Sequence, residues 1–373
     1  MKLEIKQDVL LEHLNYTIRG ISNKNIRPIL NCIKFELTEK GLYLMSTDNE
    51  IAIKTFIDKS KIENIENCGN IVVSGRYIYE IIRKLPNEII NIEEVIDSKI
   101  YITTKNSSFN LNCNTTEQFP ILELEYKQNP VIITQKELKT IINQTSFATS
   151  SQESRPVLTG INFKLENNTM ECTATDSYRL AIKKLTLTEP VNDKINIIAP
   201  TKNLLELVKL LNNDDENVEL HIFGNKLIFK FDTITMMTRL ISGTYPDTSK
   251  LIPDTYLLTI KTSLNDFYSA IDRASLLTNE SDKNTIKLAS KGNEIIISSN
   301  IPEIGNVEEK IAVEKNNAEE IKIAFNSKFM MDSIRVLNSE EIELLFNGEF
   351  KPIIIKNPES DDLIQLILPI RTY

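Results

Sequence analysis

The chain has 373 residues, of which 41% are apolar and 25% are charged, a composition typical of ordinary globular proteins. Its net charge of −9 argues against a generally basic nucleic-acid-binding protein, and no apolar run approaches the length of a membrane span. The first residues predict a strand that leads into a helix and lack the apolar core of a signal peptide, so we expect a cytoplasmic protein.

Short strands and amphipathic helices alternate along the first third of the chain. The apolar pattern predicts helices from about Asp8 to Gly20 and within Asn70–Pro86. It also predicts these strands: Leu3–Ile5, Ile29–Leu37, Leu42–Thr47, Asn49–Ile57, Ile89–Glu93, Ile100–Thr104 and Ser108–Cys113. The polar segment Glu123–Pro130 ends in proline and predicts a linker.

The rest of the chain repeats this plan twice. The predicted elements there include strand Val131–Thr134, helix Lys136–Thr149, strand Tyr256–Lys261, helix Ser263–Leu277 and strand Ile364–Pro369. A second linker is predicted near Leu251–Asp254.

One strand-and-helix stretch occurs three times, as NIVVSGRYIYEIIRKLP at 70–86, NIIAPTKNLLELVKLLN at 196–212 and KIAFNSKFMMDSIRVLN at 322–338. Arg76, Lys202 and Lys328 hold the same place in the three copies and are spaced by 126 residues. A fixed period of this length indicates tandem domains. We predict three α+β domains, at residues 1–124, 129–250 and 254–373, each with two helices packed on antiparallel sheets.

The outward faces of the three repeated helices carry matched basic, acidic and basic residues: Arg76, Glu80 and Arg83; Lys202, Glu206 and Lys209; Lys328, Asp332 and Arg335. In a single helix this pattern is typical of a solvated face held by ion pairs one turn apart. Its recurrence in an otherwise acidic chain favours a surface with a common function. At the helix starts, Ser74 and Asn326 are predicted N-caps and Pro200 an early helical position.

Residues that could carry catalysis or hold a metal are sparse. The four cysteines lack CxxC spacing and only His13 and His221 could join them, so we predict free thiols and no zinc site. Asp48 and Asp176 lie in matched Thr-Asp turns, where carboxylates commonly accept hydrogen bonds from local backbone amides. A glycine-rich phosphate loop, a nucleophile elbow and an HExxH motif are absent from the sequence. We therefore predict no catalytic residues, no metal and no cofactor.

Four further stretches carry a resemblance to a known family: RPVLTGI (155–161), ATDSYRLA (174–181), TYPDTSKLIP (244–253) and LILPIRTY (366–373). In their order and spacing, with three repeats over the full length, the chain resembles the β subunit of bacterial DNA polymerase III, the replicative sliding clamp. The resemblance implies a DNA clamp fold of three similar domains and a ring formed by two chains head to tail. Helices would line the hole and hold duplex DNA without reading its sequence.

The resemblance also implies a pocket between the second and third domains for a short peptide carried by the replicative polymerase, the clamp loader and other clients. The matching positions are Leu158, Thr175, Ser177, Tyr178, Arg179, Leu180, Pro246, Lys250, Leu251, Leu366, Leu368, Pro369, Ile370 and Arg371. Apolar side chains would form a slot rimmed by the basic ones. Some members have Gly-His in place of Ser177-Tyr178, and methionine in place of Leu368 and Ile370.

Residues expected to face DNA are Lys24, Arg27, Arg76, Arg83, Gln152, Lys202, Lys209, Lys328 and Arg335. Pro156 and Val157 replace tyrosines that some family members have near Gln152, so we expect no aromatic contact with DNA there. Two alternatives to a DNA-encircling processivity factor remain. One is an adaptor that binds client peptides but not DNA, and the other is a hydrolase that uses the Thr-Asp turns.

Overall fold

The computed structural model describes residues 1–21, 27–95, 98–125 and 129–371 and contains, within them, six α-helices and 26 strands. The first third contains β1 (Lys2–Lys6), α1 (Gln7–Thr17), β2 (Cys32–Thr38), β3 (Gly41–Thr47), β4 (Ile51–Asp58), β5 (Ile62–Asn67), β6 (Gly69–Ser74), α2 (Gly75–Lys84), β7 (Ile89–Val95), β8 (Lys99–Thr103) and β9 (Ser108–Asn114). The alternation of strands with two helices agrees with the prediction for this third.

The second third contains β10 (Val131–Thr134), α3 (Gln135–Ser146), β11 (Gly160–Glu166), β12 (Thr169–Thr175), β13 (Arg179–Thr186), β14 (Ile195–Pro200), α4 (Thr201–Val208), β15 (Asn217–Phe223), β16 (Lys226–Phe231) and β17 (Ile234–Arg239). The last third contains β18 (Leu258–Ser263), α5 (Leu264–Ser275), β19 (Thr285–Lys291), β20 (Glu294–Ile301), β21 (Gly305–Ala312), β22 (Glu314–Lys315), β23 (Lys322–Asn326), α6 (Ser327–Arg335), β24 (Glu341–Phe346), β25 (Ile353–Asn357) and β26 (Ser360–Ile367). Each third therefore has the predicted pair of helices.

The strands form antiparallel sheets in two compact units. The unit made of Met1–Lys136 and Glu206–Leu240 contains one 13-stranded sheet in the order β10-β15-β16-β17-β4-β3-β2-β6-β9-β8-β7-β1-β5. The unit made of Glu137–Leu205 and the chain from Ile241 onward contains two sheets, in the orders β14-β11-β12-β13-β26-β25-β24-β18-β22 and β21-β20-β19-β23.

Strand pairing carries a sheet from one repeat into the next at two places. β17 pairs with β4, where Met237 lies opposite Ala52, and β26 pairs with β13, where Leu366 lies opposite Leu180. The two registers are equivalent, because Ala52 and Leu180 lie opposite the matched threonines of the two Thr-Asp turns in their own hairpins. The repeats are therefore joined by backbone hydrogen bonds as well as by side-chain packing.

The helices bury the apolar stripe that their sequence spacing predicts. In the first repeat, α2 places Ile78 and Ile82 in a core that also contains Leu10 of α1. In the third repeat, Met330 and Ile334 of α6 pack in the core of that repeat. Because the apolar positions recur at helical spacing, one face of each helix is removed from water while the charged face stays outside.

Some predicted boundaries are wrong for local reasons. Strand β2 begins at Cys32 rather than Ile29, because Pro28–Asn31 form a 3₁₀ turn. Strand β26 ends at Ile367, before Pro369, which has no N–H to donate to a ladder. The polar strand β5 was not predicted, since its sequence IENIEN offers little apolar alternation.

Asn326 and Ser74 are the N-cap residues of α6 and α2, as predicted, whereas the prediction for Pro200 needs correction. Asn326 caps α6 through its side-chain oxygen, which accepts a hydrogen bond from Phe329 N–H at 3.0 Å. Ser74 makes no side-chain cap, and Pro200 is the last residue of β14 rather than a residue of α4.

His13 lies buried where α1 packs on β4. Its Nδ1 is 2.7 Å from Thr55 Oγ1, and only 2% of the residue is exposed. Burial lowers the pKa of His13 from 6.5 to about 4, with smaller and opposing effects of Glu12 and Lys61. The folded protein therefore keeps this imidazole neutral over a pH range in which the unfolded chain protonates it.

We expect His13 to make the protein less stable as the pH falls from about 6.5 towards 4. In that range the unfolded state binds more protons, so the free energy of unfolding falls by roughly 2–3 kcal/mol on account of this residue. His13→Gln removes the titration, so urea unfolding at pH 7 and pH 4.5 should show a smaller loss in the variant. Equal losses in the two proteins would contradict the assignment.

Candidate functional sites

An apolar cavity of about 210 Å³ opens where β13 pairs with β26. Leu180 and Leu366, which lie opposite each other in these strands, line it and are 1% and 3% exposed. Pro246, Thr248 and Leu251, from the segment that follows β17, also contribute to the lining. The cavity is smaller than the roughly 300–1,000 Å³ of typical small-molecule sites, and its size suits the anchor side chains of a peptide.

Large apolar side chains in the lining remain accessible to solvent. Tyr178 is 64% exposed, Leu251 47% and Leu368 38%. The backbone N–H of Leu368 donates to the carbonyl of Tyr178 at 2.9 Å, which holds these two residues together. A ligand that covered these side chains would gain roughly 25 cal/mol for each Å² of apolar surface removed from water.

Polar groups in the lining are fixed by hydrogen bonds. The Thr175 N–H donates to Tyr245 Oη at 2.9 Å, and the Thr175 hydroxyl donates to the Arg179 carbonyl at 2.6 Å. Burial raises the pKa of the Tyr245 phenol, so the ring stays neutral. The Ser249 backbone amide donates to Asp247 Oδ1 at 3.0 Å and lowers the pKa of this carboxyl, which keeps a negative charge at the cavity.

Nine of the fourteen residues predicted for a peptide pocket line this cavity: Thr175, Ser177, Tyr178, Arg179, Leu180, Pro246, Leu251, Leu366 and Leu368. Leu158 does not line it but packs in a buried cluster with Ile198 and Tyr245. Lys250 is exposed and is also absent from the lining. The pairing of β13 with β26 brings together side chains that are far apart in sequence.

The chain leaves the cavity after Leu368. The Ile370 N–H donates to the Ala324 carbonyl of β23 at 2.7 Å, so Pro369, Ile370 and Arg371 do not line the cavity. Ile370 and Arg371 line a different, more polar cavity of about 710 Å³, together with residues that include Asn279 and Glu308. The predicted pocket set therefore divides at Pro369.

Sequence reasoning missed three lining residues, Asp247, Thr248 and Pro352. Asp247 and Thr248 belong to the TYPDTSKLIP stretch that supports the resemblance, and their position beside Pro246 was an available signal. Pro352 precedes β25, and only the folded chain brings it to the cavity.

Arg179 connects the cavity to α6. Its side chain is 11% exposed and donates to Asp176 Oδ2 at 3.0 Å and to Asp332 Oδ2 at 2.7 Å. Its guanidinium also lies over the rings of Phe329, at 4.4 Å, and Phe147, at 5.5 Å. A planar cation with several fixed donors can satisfy both carboxylates at once while stacking on aromatic rings.

The Thr-Asp turns show the predicted local role of their carboxylates. In each turn, Oδ1 of Asp48 or Asp176 accepts hydrogen bonds from the backbone N–H groups two and three residues later, at 2.9–3.0 Å. These bonds confirm the structural interpretation of the two aspartates and remove the observation on which the hydrolase hypothesis depended.

The basic residues predicted on the three repeated helices are exposed: Arg76, Arg83, Lys202, Lys209, Lys328 and Arg335. The prediction needs one correction, because α4 ends at Val208 and Lys209 lies in the turn that follows it. Arg83 pairs with Glu80 and Lys209 with Glu206, both at 2.7 Å, as expected for residues one turn apart. On α6 that expectation is wrong, because Asp332 is engaged by Arg179. Lys328 instead pairs with Glu280 at 3.0 Å, and Arg335 donates to the Tyr268 hydroxyl.

Arg76 and Lys202 form no ion pair with another residue in the described part of the chain. Arg27 and Gln152, also predicted to face DNA, are exposed, whereas Lys24 lies outside the described residues. Among residues 1–21, 27–95, 98–125 and 129–371, no three His, Cys, Asp or Glu side chains are grouped to hold a metal ion. No helix there has the length and apolarity needed to cross a membrane.

Comparisons with known proteins cover the whole chain. Three family models match in order: the DNA polymerase III beta subunit N-terminal domain at residues 1–123, its central domain at 132–247 and its C-terminal domain at 249–371. A beta sliding clamp from Staphylococcus epidermidis is 40% identical, with 100% of both chains covered. The crystal structure of a DNA polymerase sliding clamp from Bacillus subtilis matches with a TM-score of 0.96 and 38% identity, covering 100% of both chains.

We expect Arg179→Ala to lower the free energy of unfolding by about 2–3 kcal/mol, because it leaves two hydrogen-bonded carboxylates without their cation. Arg83→Ala is the matched control: its ion pair with Glu80 is solvent-exposed, so the stability should hardly change. Urea unfolding of the two variants measures the contrast. A similarly small effect of both substitutions would show that Arg179 is not a structural connection.

Proposed function

The chain belongs to the DNA polymerase III beta subunit family, and from that premise we propose how it works as a DNA sliding clamp. It is a non-catalytic processivity factor, which encircles duplex DNA as a head-to-tail homodimer and tethers the replicative polymerase. The observation that carries the ring is the repeated strand pairing between repeats, together with two stretches, in β21 and in β9, that lack a neighbouring strand on one side in the described residues.

Of the strand edges without a neighbour in the described residues, those of β21 and β9 are the ones that we propose to join. β21 pairs only with β20 and ends its sheet, while the face of β9 away from β8 pairs with β6 only at Cys113 and Asn114. By strand register, Asn300 is the counterpart of Thr47 and Thr175, and Asn306, which lies opposite Asn300, therefore holds the place of Ala52 and Leu180. We propose that β21 of one chain pairs with β9 of a second chain as the two junctions within the chain do.

The register of this third junction follows from the other two. Counting across the sheets from β1, β10 and β18, Phe109 holds the place of Met236 and Gln365. Asn110 then corresponds to Met237 and Leu366, the partners of Ala52 and Leu180. The equivalent pair between two chains is Asn306 opposite Asn110. Such pairing would cover edges that otherwise invite uncontrolled association.

Helix contacts support the same junction. One position in each repeat lies at the same spacing from the first residue of α1, α3 or α5. It is held by Arg19 in the first repeat, Phe147 in the second and Leu276 in the third. At the first junction, Arg19 forms an ion pair with Glu206 of α4 at 3.3 Å. At the second junction, Arg179 contacts both Phe147 and the α6 residue Asp332. Leu276, which is 78% exposed, would by analogy meet α2 of the second chain, where Tyr77 is 62% exposed. Burial of both would contribute apolar area to the dimer.

Duplex DNA would be held through its phosphates. Each domain has one pair of exposed basic residues on or directly after α2, α4 or α6. We propose that these pairs line the hole of the ring with the other predicted DNA-facing residues. Contacts to phosphate oxygens carry no sequence information, so the ring can move along DNA. The surface ion pairs with Glu80 and Glu206 contribute little and leave these cations able to exchange a carboxylate for a phosphate.

Client proteins would dock at the apolar cavity. Leu180 and Leu366 would receive apolar anchors of an extended peptide, and Tyr178 and Leu368 would close over them. We propose that the polymerase, the clamp loader and other clients share this site, and that the protein acts in the cytoplasm. Loading on closed circular DNA then needs a separate ATP-driven opener, because this sequence has no glycine-rich phosphate loop. We retain three domains at 1–124, 129–250 and 254–373 as part of the proposal.

Retention on DNA tests the function. Once loaded, the protein should remain on covalently closed circles at salt concentrations that abolish simple ionic binding, and it should leave soon after the circle is cut. Loss from circular and linear DNA at equal rates would favour ordinary electrostatic binding, and no association with either would favour a client-peptide adaptor.

A variant without four of the basic residues tests the DNA contact itself. Replacement by Ala should weaken the contact with DNA, while the difference in retention between circular and linear DNA should persist. The residues to replace are Lys202, Lys209, Lys328 and Arg335.

Binding of the replicative polymerase tests the pocket. Leu368→Asp places a charge in the cavity lining and should weaken polymerase binding at least tenfold, about 1.4 kcal/mol. Leu257→Asp is the matched control, since Leu257 is also an exposed leucine of the third repeat but does not line the cavity. Surface plasmon resonance should separate the two variants. Deleting residues 366–373 is less suitable, because Leu366 and Ile367 belong to β26.

Disulfide formation tests the register between chains. A chain with Asn110→Cys and Asn306→Cys should form a covalent dimer on mild oxidation, because equivalent residues lie directly opposite at the two observed junctions. Asn110→Cys with Val307→Cys is the control, since a shift of one residue points one side chain to the other face. Non-reducing gel electrophoresis reads the result. Equal cross-linking of both pairs, or of neither, would contradict the register.

A further inference from the structure

The floor of the client pocket has a counterpart at the first junction. Ala52, Ile228 and Met237 form a buried apolar cluster there. By strand register their equivalents at the second junction are Leu180, Ile354 and Leu366, which also cluster, and the first and last of these line the open cavity. The same three-residue floor is therefore built twice in the chain.

What differs is the segment that crosses each floor. In the first linker, Leu122 and Leu124 pack on the cluster of Ala52, Ile228 and Met237. Glu123 between them forms an ion pair with Lys226. Leu122 and Leu124 therefore place their side chains on the cluster, and Lys226 holds the carboxylate of Glu123.

The second linker places other side chains at the equivalent positions. Phe119-Pro120 and Tyr245-Pro246 are 126 residues apart, the same spacing as the repeated helices, so Thr248 and Lys250 stand where the first linker has Leu122 and Leu124. Thr248 is shorter than leucine and contributes to the cavity lining, and Lys250 is exposed and outside it. Ile252 and Tyr256 pack against the second cluster, but a cavity remains open beside Leu180 and Leu366, whereas Leu122 and Leu124 pack directly on the first cluster.

We infer that the first junction contains a latent second peptide pocket, and that the chain's own segment 121–124 is its built-in occupant. Exchange of the two leucines for the residues of the second linker uncovers the floor for an extended peptide with apolar side chains two residues apart. This inference rests on the proposed client pocket, because it assigns the same ligand class to an equivalent groove.

A synthetic peptide of residues 119–125, FPILELE, is the probe. It should bind the wild-type protein with a stoichiometry of one per chain, at the open cavity, and Leu368→Asp should abolish that binding. The variant with Leu122→Thr and Leu124→Lys should bind two peptides per chain. In this variant Leu368→Asp should reduce the stoichiometry from two to one, and isothermal titration calorimetry measures all four values.

Ile121→Asp is the matched control. Ile121 is 93% exposed, lies outside the cluster and corresponds to Asp247 of the second linker, so this substitution should leave one peptide bound per chain. A stoichiometry of one in the Leu122→Thr, Leu124→Lys variant would overturn the latent pocket.

If that variant fails to fold, the wild-type protein decides the question. Peptide binding that Leu368→Asp abolishes supports the equivalence of the two grooves, and absence of binding overturns it. Polymerase binding measured in the same preparations separates the two ideas. Polymerase binding that is sensitive to Leu368→Asp, without any binding of the linker peptide, would leave the proposed function intact and remove only the inference.

Discussion

Backbone pairing between the last strand of one repeat and an inner hairpin of the preceding repeat is the interaction on which the rest of the structure depends. It places Met237 opposite Ala52 and Leu366 opposite Leu180, and so makes the two junctions within the chain equivalent. The first and second repeats thus share one sheet, and the second and third share another. We propose that the edges of β21 and β9 form a third junction of the same kind with a second copy.

The same pairing creates the pocket. Leu180 and Leu366 become neighbours only because β13 and β26 are adjacent, although the residues are far apart in sequence. We infer that the linker decides how open the groove is, because Leu122 and Leu124 pack on the first cluster whereas Thr248 and Lys250 hold the equivalent places at the second, where a cavity remains. Arg179 connects this groove with Asp332 on a helix that also carries Lys328 and Arg335, so a hydrogen bond links the surfaces that we propose for client binding and for DNA.

The repeat, the helix pairs and their buried stripes could be predicted because each depends on local spacing that the sequence displays directly. Ile78 and Ile82 are buried as expected, and the carboxylates of the Thr-Asp turns bond to nearby amides. Long-range contacts could not be predicted in this way. The sequence pairs Asp332 with its helical neighbours, whereas its partner in the fold is Arg179, 153 residues away. For the same reason, nothing in the sequence indicated that Pro352 lines the cavity. Ile370 was predicted to line it, but its backbone hydrogen bond to Ala324 leads the chain away from the cavity.

The mass of the protein in solution tests the central claim most directly, because it asks whether the third set of edges finds its partner in a second copy. Multi-angle light scattering at micromolar concentration should give twice the 42.6 kDa of a single chain, without larger species, since a closed pair leaves neither edge open. A stable species of one chain mass would contradict the account, and so would an open-ended series of larger assemblies.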